Sequence, residues 1–211
     1  MAEAPPRLHA VTDDGVLARP DFATRAREVL ERGGADVALH LRGPNAGGRL
    51  LHDLAAELVP AARASGALLL VNDRVDVALA VGADGVQLGR RSLLPGDARR
   101  LLGDRPLLGV SVGPDAGRRG GAVAGADFVL AGSVYATATH PGRTGMGPGR
   151  LAELAVLGLP LVAIGGVTPE RVGELRAAGA HGAAAIRAVW DADDPAEAVS
   201  RFLEAFDHAD D

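Results

Sequence analysis

The sequence predicts an α/β fold, a single (β/α)8 TIM barrel in which eight parallel strands alternate with helices. Short apolar segments alternate with segments of helical spacing from one end of the chain to the other. A Gly-Ala-Asp or Gly-Ala-His joint recurs before every second strand. The length of 211 residues suits one barrel. We therefore expect residues 1–211 to form one domain.

The strands are placed at the short apolar segments. The segment Ala67–Val71 is almost wholly apolar, as is typical of a strand buried on both faces. The predicted strands are Leu8–Val11, Val37–Leu41, Ala67–Val71, Gly85–Leu88, Leu107–Val112, Phe128–Val134, Leu161–Ile164 and Ala183–Ile186.

Helical spacing fills the intervals between the strands, and the first helix ends at two glycines, as a helix C-terminus should. The predicted helices are Pro20–Arg32, Arg49–Ala64, Val75–Val81, Pro95–Leu102, Ala116–Ala124, Gly149–Leu157, Thr168–Ala178 and Pro195–Phe206. The cluster from Thr12 to Gly15 predicts a turn. The acidic tail, 207–211, is expected to be disordered.

The repeated joints strengthen the barrel prediction. They begin at Gly34, Gly82, Gly125 and Gly179, and each follows a helix and precedes an even-numbered strand. Glycine ends the helix, and the next two residues make the tight turn into the strand. Joints spaced by two strand–helix units indicate a (β/α)8 barrel.

Composition excludes several function classes. The formal net charge is −5 and no basic block occurs, so nucleic acid is not an expected partner. The chain has no cysteine, which excludes disulfides and cysteine metal sites and fits a cytoplasmic protein. No apolar segment is long enough to cross a bilayer, and the N-terminus lacks the pattern of a signal peptide, so no membrane is expected.

In such a barrel the active site lies at the C-terminal ends of the strands, which we call the mouth. The residues that follow the predicted strands are strongly polar and include several arginines, although the chain is acidic overall. That contrast suggests an anionic ligand. The binding candidates at the mouth are Arg42, Asn72, Ser111, Thr137, Thr139, Gly165, Gly166, Ile186 and Arg187.

Two stretches suggest where an anion binds. The stretch AGSVYATATHPGRTGMG, 131–147, combines threonines with glycines and one arginine, as an oxyanion cradle would, although an ordinary surface loop has similar composition. Gly165-Gly166 precedes Thr168, a predicted helix N-cap, and Pro169. Backbone N–H groups there and after Ile186 would form a phosphate site, and the alternative is a tight turn with a cap.

The histidines and Asp73 each have two interpretations. His9 is best explained as a core histidine with a hydrogen bond, whereas His40 is either a core residue or a group at the mouth. Asp73 is either a turn or cap residue or a ligand of a hard cation.

Along nearly its whole length the chain resembles the thiamine phosphate synthase/TenI family of barrels. The matching stretches include LHAVTDD, ALHLR, LLVNDRVDVALAVGADGVQLG, LGVSV, GADFVLAGSVYATAT and LVAIGGVTPERVGELRAAGAHG. Thiamine phosphate synthases in this family join a pyrimidine diphosphate to a thiazole phosphate with magnesium. TenI-like members bind thiazole phosphate and shift a double bond to aromatise it.

The resemblance implies roles for several residues. Asn72 and Asp73 would serve the diphosphate and magnesium, Ser111 the pyrimidine, Thr137 and Thr139 the thiazole phosphate, and the backbones of Gly165 and Gly166 a phosphate. The chain also departs from the family pattern in several places. A lysine-bearing segment of the family is replaced by Gly43-Pro44-Asn45. Single residues differ at His40 for a glutamine, Ser92 for the second magnesium aspartate, His140 for a lysine, Arg187 for a serine, and Ser133 for the histidine proposed to be catalytic in TenI.

Loss of one magnesium carboxylate and of two lysines removes positive charge from the diphosphate side of the site. Because the synthase reaction depends on neutralising the departing diphosphate, these losses argue against a synthase. We therefore expect a TenI-like thiazole phosphate tautomerase with no cofactor, in which His40 or His140 replaces the missing acid–base group at Ser133. The alternatives are a divergent thiamine phosphate synthase with Mg²⁺ at Asp73 and a non-catalytic phosphate-ligand binder with a regulatory role. The expected partner is a phosphorylated thiazole, and a homo-oligomer is left open.

Overall fold

The fold is a closed barrel of eight parallel strands, which confirms the predicted fold class. The computed structural model describes residues 4–116, 123–137, 142 and 144–210. Each strand pairs with the next in the chain, and the last pairs with the first. The strands are β1 (Leu8–Val11), β2 (Val37–Leu41), β3 (Leu68–Asn72), β4 (Gly85–Leu88), β5 (Leu107–Val112), β6 (Phe128–Gly132), β7 (Leu161–Ile164) and β8 (Gly182–Ala185).

Helices surround the barrel on its outside. They are α1 (Asp14–Leu17), α2 (Phe22–Gly33), α3 (Gly48–Ser65), α4 (Val75–Val81), α5 (Pro95–Leu102), α6 (Gly147–Ala152), α7 (Val172–Ala177), α8 (Arg187–Trp190) and α9 (Pro195–Asp210). Short 3-10 turns precede or follow some of them, at Gly34–Asp36, Glu153–Leu157 and Pro169–Arg171. The predicted helix Ala116–Ala124 falls largely on residues outside the described part of the chain.

Alternation along the strands produces two apolar layers. Side chains that point inward fill the barrel and form a cluster of Val11, Ala38, Leu70, Phe128, Leu130, Val162 and Ala184. Side chains that point outward pack beneath the helices in a larger core. Because both faces of each strand are covered, the strands are apolar throughout, as a parallel sheet requires.

The Gly-Ala-Asp and Gly-Ala-His joints lie at the N-terminal ends of the strands, opposite the mouth. Their glycines all have left-handed φ angles, at Gly34 (50°), Gly82 (64°), Gly125 (84°) and Gly179 (87°). At two joints the aspartate also accepts a hydrogen bond from the preceding strand. Asp84 accepts from the N–H of Leu69 at 2.9 Å, and Asp127 accepts from the N–H of Leu108 at 2.8 Å.

Two short helices were not predicted. The cluster Thr12–Gly15, predicted as a turn, contributes the start of α1, which Asp13 caps by accepting a hydrogen bond from the N–H of Val16 at 2.9 Å. Helix α8 follows β8 directly. Each helix has four residues, too few to show a helical period in the sequence.

The expectation of a disordered tail from residue 207 is wrong for residues 207–210, because α9 continues to Asp210. Phe206 is buried at the end of this helix, and Asp207 forms an ion pair with Arg7 at 2.7 Å. These contacts hold the last turn against the barrel. Within the described residues, no helix has the length and apolar character needed to cross a membrane.

Candidate active site

The mouth brings the predicted site residues to one end of the barrel. Because all strands are parallel, the residues after their C-terminal ends lie together there. The described residues of this group are Arg42, Asn72, Asp73, Ser111, Ser133, Thr137, Gly165, Gly166, Ile186 and Arg187. Thr139, His140 and Arg143 lie outside the described residues.

The loop after β7 has a conformation that only glycine accommodates. Gly165 and Gly166 have φ angles of 99° and 67°. A Cβ on Gly165 would lie 2.5 Å from the Cβ of Ser133, and a Cβ on Gly166 would lie 2.7 Å from the carbonyl oxygen of Ala136. The two glycines therefore allow this loop to pack directly against the loop after β6, which continues to Thr137.

Hydrogen bonds fix the direction of each peptide in the glycine loop. The carbonyl of Ile164 accepts from the N–H of Val134 at 2.9 Å, and that of Gly165 accepts from the N–H of Tyr135 at 3.0 Å. Arg171 donates to the carbonyl of Gly166. Because N–H and C=O point in opposite directions in a trans peptide, the N–H groups of Gly166 and Val167 point away from these partners. Within the described residues those two N–H groups donate to nothing, so they are available to an anion.

Arg171 is held in place by an aromatic contact that the sequence did not reveal. Its guanidinium lies 4.1 Å from the ring centroid of Tyr135, and the Tyr135 hydroxyl donates to Glu174 at 2.5 Å. Burial and the Glu174 carboxylate raise the pKa of Tyr135 to about 12. Tyr135 and Arg171 are 36 positions apart, and no local pattern connects them.

On the far side of the site, the ends of β1 and β2 are joined through a buried threonine. The Thr12 hydroxyl accepts from the N–H of Arg42 at 2.8 Å and donates to the carbonyl oxygen of Arg42 at 2.8 Å. This pair fixes the backbone of Arg42, whose side chain is half-buried. The guanidinium of Arg42 forms no ion pair with a described residue, so its charge is available to a ligand.

Asp73 follows β3 in a left-handed conformation, with a φ of 63°. Its Oδ1 accepts from the N–H of Gly89 at 2.7 Å and from the hydroxyl of Ser92. Its Oδ2 takes part in no hydrogen bond among the described residues. The part of the chain that the structure describes contains no cluster of three or more histidine, aspartate or glutamate side chains that could hold a metal.

His40 does not face the mouth as a free acid–base group. It is fully buried, with Nε2 2.7 Å from Nδ1 of His9 and Nδ1 3.3 Å from Oδ1 of Asn72. Burial lowers the pKa of His40 to about 4. Both ring nitrogens thus have partners inside the protein, and proton exchange between His40 and a substrate stays a prediction. His9 is a buried, hydrogen-bonded core histidine, as predicted.

A polar pair inside the barrel extends from β4 to β5. Nε2 of Gln87 donates to the hydroxyl of Ser111 at 3.1 Å, and Gln87 is 1% exposed. The other amide atom, Oε1, has no partner among the described residues. Gly109 leaves the space for this amide, since a Cβ there would lie 2.1 Å from Oε1 of Gln87.

Three more predicted residues occupy the remaining edge of the mouth. Ser133 is half-buried, and its carbonyl accepts from the N–H of Met146 at 2.9 Å. Ile186 packs partly buried on the inner apolar cluster, at the start of α8. Arg187 is exposed and lies 4.0 Å from Asp191. Ile186 therefore lines the end of the barrel interior, and Arg187 lies at the rim of the mouth.

The fold and the mouth define a TIM barrel with a polar ligand site at the C-terminal ends of its strands. The family model described as thiamine monophosphate synthase (TMP-TENI) matches residues 8–189. The chain belongs to this family.

Similar proteins include two curated relatives named thiamine-phosphate synthase. The one from Laribacter hongkongensis is 40% identical over 200 residues, covering 94% of this chain and 93% of the relative. The one from Methanoculleus marisnigri is 42% identical over 184 residues, covering 86% of each. A solved structure of thiamine phosphate pyrophosphorylase from Pyrococcus furiosus has a TM-score of 0.79 and 31% identity over 96% of each chain.

Proposed function

We propose that the protein is a transferase that joins hydroxymethylpyrimidine diphosphate to thiazole phosphate and releases diphosphate. The names and coverage of its relatives support this activity rather than a tautomerase. The sequence by itself favoured the tautomerase, because a magnesium aspartate and lysines of the family are replaced.

One observation in the site supports the transfer over the tautomerisation. Aromatisation of a thiazole requires a group that moves a proton. Of the two histidines expected to do so, His40 has both ring nitrogens engaged in the protein, and His140 lies outside the described residues. The transfer requires no such group. A C–N bond forms to the pyrimidine methylene as its C–O bond breaks, and diphosphate leaves with the electron pair of that bond.

The two phosphate-bearing substrates are assigned to opposite sides of the mouth. The N–H groups of Gly166 and Val167 and the neighbouring Thr137 serve the thiazole phosphate. Arg42 and the residues after β3 serve the pyrimidine diphosphate, where the guanidinium stabilises charge that increases as diphosphate departs.

Magnesium is implied by the family for this transfer, and the donor set at Asp73 fits it. The carboxylate is exposed and its Oδ2 is unengaged among the described residues. Mg²⁺ is commonly held by one or two carboxylates together with substrate phosphates. Asp73 would hold the ion, and the ion would supply positive charge to the diphosphate.

The test is transfer activity with and without Mg²⁺ in the wild type and in two matched variants. Asp73→Asn should lower turnover by about a hundredfold, the scale of a lost charge-stabilising group. Asp76→Asn, which changes an exposed aspartate paired with Arg74, should stay near wild type. Equal activity of the Asp73 and Asp76 variants would contradict the assignment of the diphosphate side.

A thiazole phosphate tautomerase is the second candidate, and Ser92 favours it. The Ser92 hydroxyl bonds Asp73 where the family has a second magnesium aspartate, so one carboxylate remains. Ultraviolet absorbance of the aromatised thiazole, formed without a pyrimidine substrate, would identify this reaction.

A further inference from the structure

A buried threonine, Thr12, completes the end of β2 where the chain of β1 has already left the barrel wall. The two strands pair in register as far as Val11 with His40, and the N–H of Thr12 then donates to the carbonyl of His40 at 3.1 Å. The next residue, Asp13, caps α1, so the backbone turns away there. Arg42, two residues beyond His40, therefore has no backbone of β1 beside it.

The hydroxyl of Thr12 takes the place of that backbone. In a parallel sheet, residues two apart on a strand direct their N–H and C=O groups to the same neighbouring strand. Oγ1 of Thr12 accepts from the N–H of Arg42 and donates to its C=O, each at 2.8 Å. The single hydroxyl hydrogen goes to Arg42, because the carbonyl of His40 already accepts from the N–H of Thr12. Neither backbone group of Arg42 has another hydrogen-bond partner among the described residues.

The extended backbone also sets the direction of the Arg42 side chain. Side chains two apart on a strand lie on the same face, and His40 lies inside the barrel beside His9. Arg42 therefore extends from the inner face of β2 at the mouth, where its side chain is half-buried. A side chain that is already held in its binding orientation loses less freedom when a ligand binds.

The segment that follows Arg42 is anchored on α1. Oδ1 of Asp14 accepts from the N–H of Asn45 at 3.0 Å, and Oδ2 accepts from its side-chain amide at 2.9 Å. Gly43 packs so closely on α1 that a Cβ there would lie 2.7 Å from Cδ1 of Leu17. The backbone is thus held on both sides of the arginine.

We propose that Thr12 is a positioning residue that holds Arg42 in the orientation in which it binds a diphosphate group. Thr12 is fully buried, so it acts through Arg42 and not by contact with a ligand. Arg42 is the only cation in residues 42–46, and a planar guanidinium binds two phosphate oxygens only when it is correctly oriented. This inference rests on the proposed function, which assigns Arg42 to the pyrimidine diphosphate.

The test is calorimetric binding of inorganic diphosphate to the full-length protein without Mg²⁺, so that the cations of the protein are measured alone. Thr12→Val keeps the shape of the side chain and removes the hydroxyl, and it should weaken binding about tenfold, the effect of one lost hydrogen bond. Thr12→Ser keeps the hydroxyl and should bind as the wild type does. Thr24→Val is the matched control, because Thr24 is exposed on α2.

Arg42→Gln separates positioning from a general structural effect. Binding should be weak in Arg42→Gln and no weaker in the double variant Thr12→Val/Arg42→Gln, since Thr12 acts through the guanidinium. Additive losses, or wild-type affinity in Thr12→Val, would overturn the proposal. Equal binding by the wild type and Arg42→Gln would contradict the proposed diphosphate side as well. The expected pattern in a protein that forms no thiamine phosphate would support the positioning role and contradict the proposed function.

Hydrogen exchange of the Arg42 amide, followed by NMR, tests the contact without ligand or catalysis. In the wild type this amide should be protected, because it donates to a buried hydroxyl. Exchange should be faster in Thr12→Val and near wild type in Thr12→Ser. An unprotected Arg42 amide in the wild type would overturn the proposal, and that measurement requires no variant.

Discussion

Acidification should destabilise this protein through its buried histidines. Folding lowers the pKa of His40 from 6.5 to about 4, so between these values the unfolded chain binds a proton that the folded chain does not. The contribution of the neutral His40 to the free energy of unfolding is present above pH 6.5 and is lost as the pH falls toward 4. Linkage gives a loss of about 2 kcal/mol from His40 alone between pH 7.5 and 5.0. His9, whose pKa is also lowered, adds to the loss.

The measurement is urea unfolding at pH 7.5 and 5.0, followed by circular dichroism. The double variant His9→Gln/His40→Gln should lose most of this pH dependence. His52→Gln is the matched control, because His52 is exposed on α3. Carboxylates with lowered pKa values, such as Glu170, act mainly below this interval, since their unfolded pKa is 4.5 or lower. Equal unfolding free energies of the wild type at the two pH values would refute the reasoning.

Three further predictions concern the glycine loop and its support. Gly166→Ala should weaken thiazole phosphate binding at least about tenfold by calorimetry, whereas Gly173→Ala, with open space around it, should bind as wild type does. Arg171→Lys should raise the KM for thiazole phosphate, since lysine cannot both stack on Tyr135 and donate to the carbonyl of Gly166. An unchanged KM would contradict this prediction. The chain has one tyrosine, so ultraviolet titration measures Tyr135 alone. The pKa of Tyr135 should be about 12 in the wild type and should fall in Glu174→Gln. Ionisation near pH 10 in the wild type would count against the described contacts.

The sequence predicted the barrel because its signals are local and repeated. Apolar segments such as that of β3 need no partner to be recognised, and the glycine joints mark the end of one helix and the start of the next strand. The glycine pair after β7 could also be found, since few other residues adopt two successive left-handed conformations.

The contacts that define the site depend on strand register and could not be predicted locally. The register between β1 and β2 pairs Val11 with His40 and places His9 one layer deeper, where the two rings meet. The sequence shows that His40 lies on a strand, but not that another histidine occupies its Nε2. For the same reason it left open whether His40 was a core residue or a catalytic group.

The most direct test of the proposed function is product analysis by phosphorus-31 NMR after the protein is mixed with hydroxymethylpyrimidine diphosphate, thiazole phosphate and Mg²⁺. The proposed function predicts one diphosphate released for each thiamine phosphate formed, and no reaction when either substrate is omitted. Aromatisation of the thiazole phosphate tautomer without diphosphate release, or tight binding of thiazole phosphate with no turnover, would contradict it.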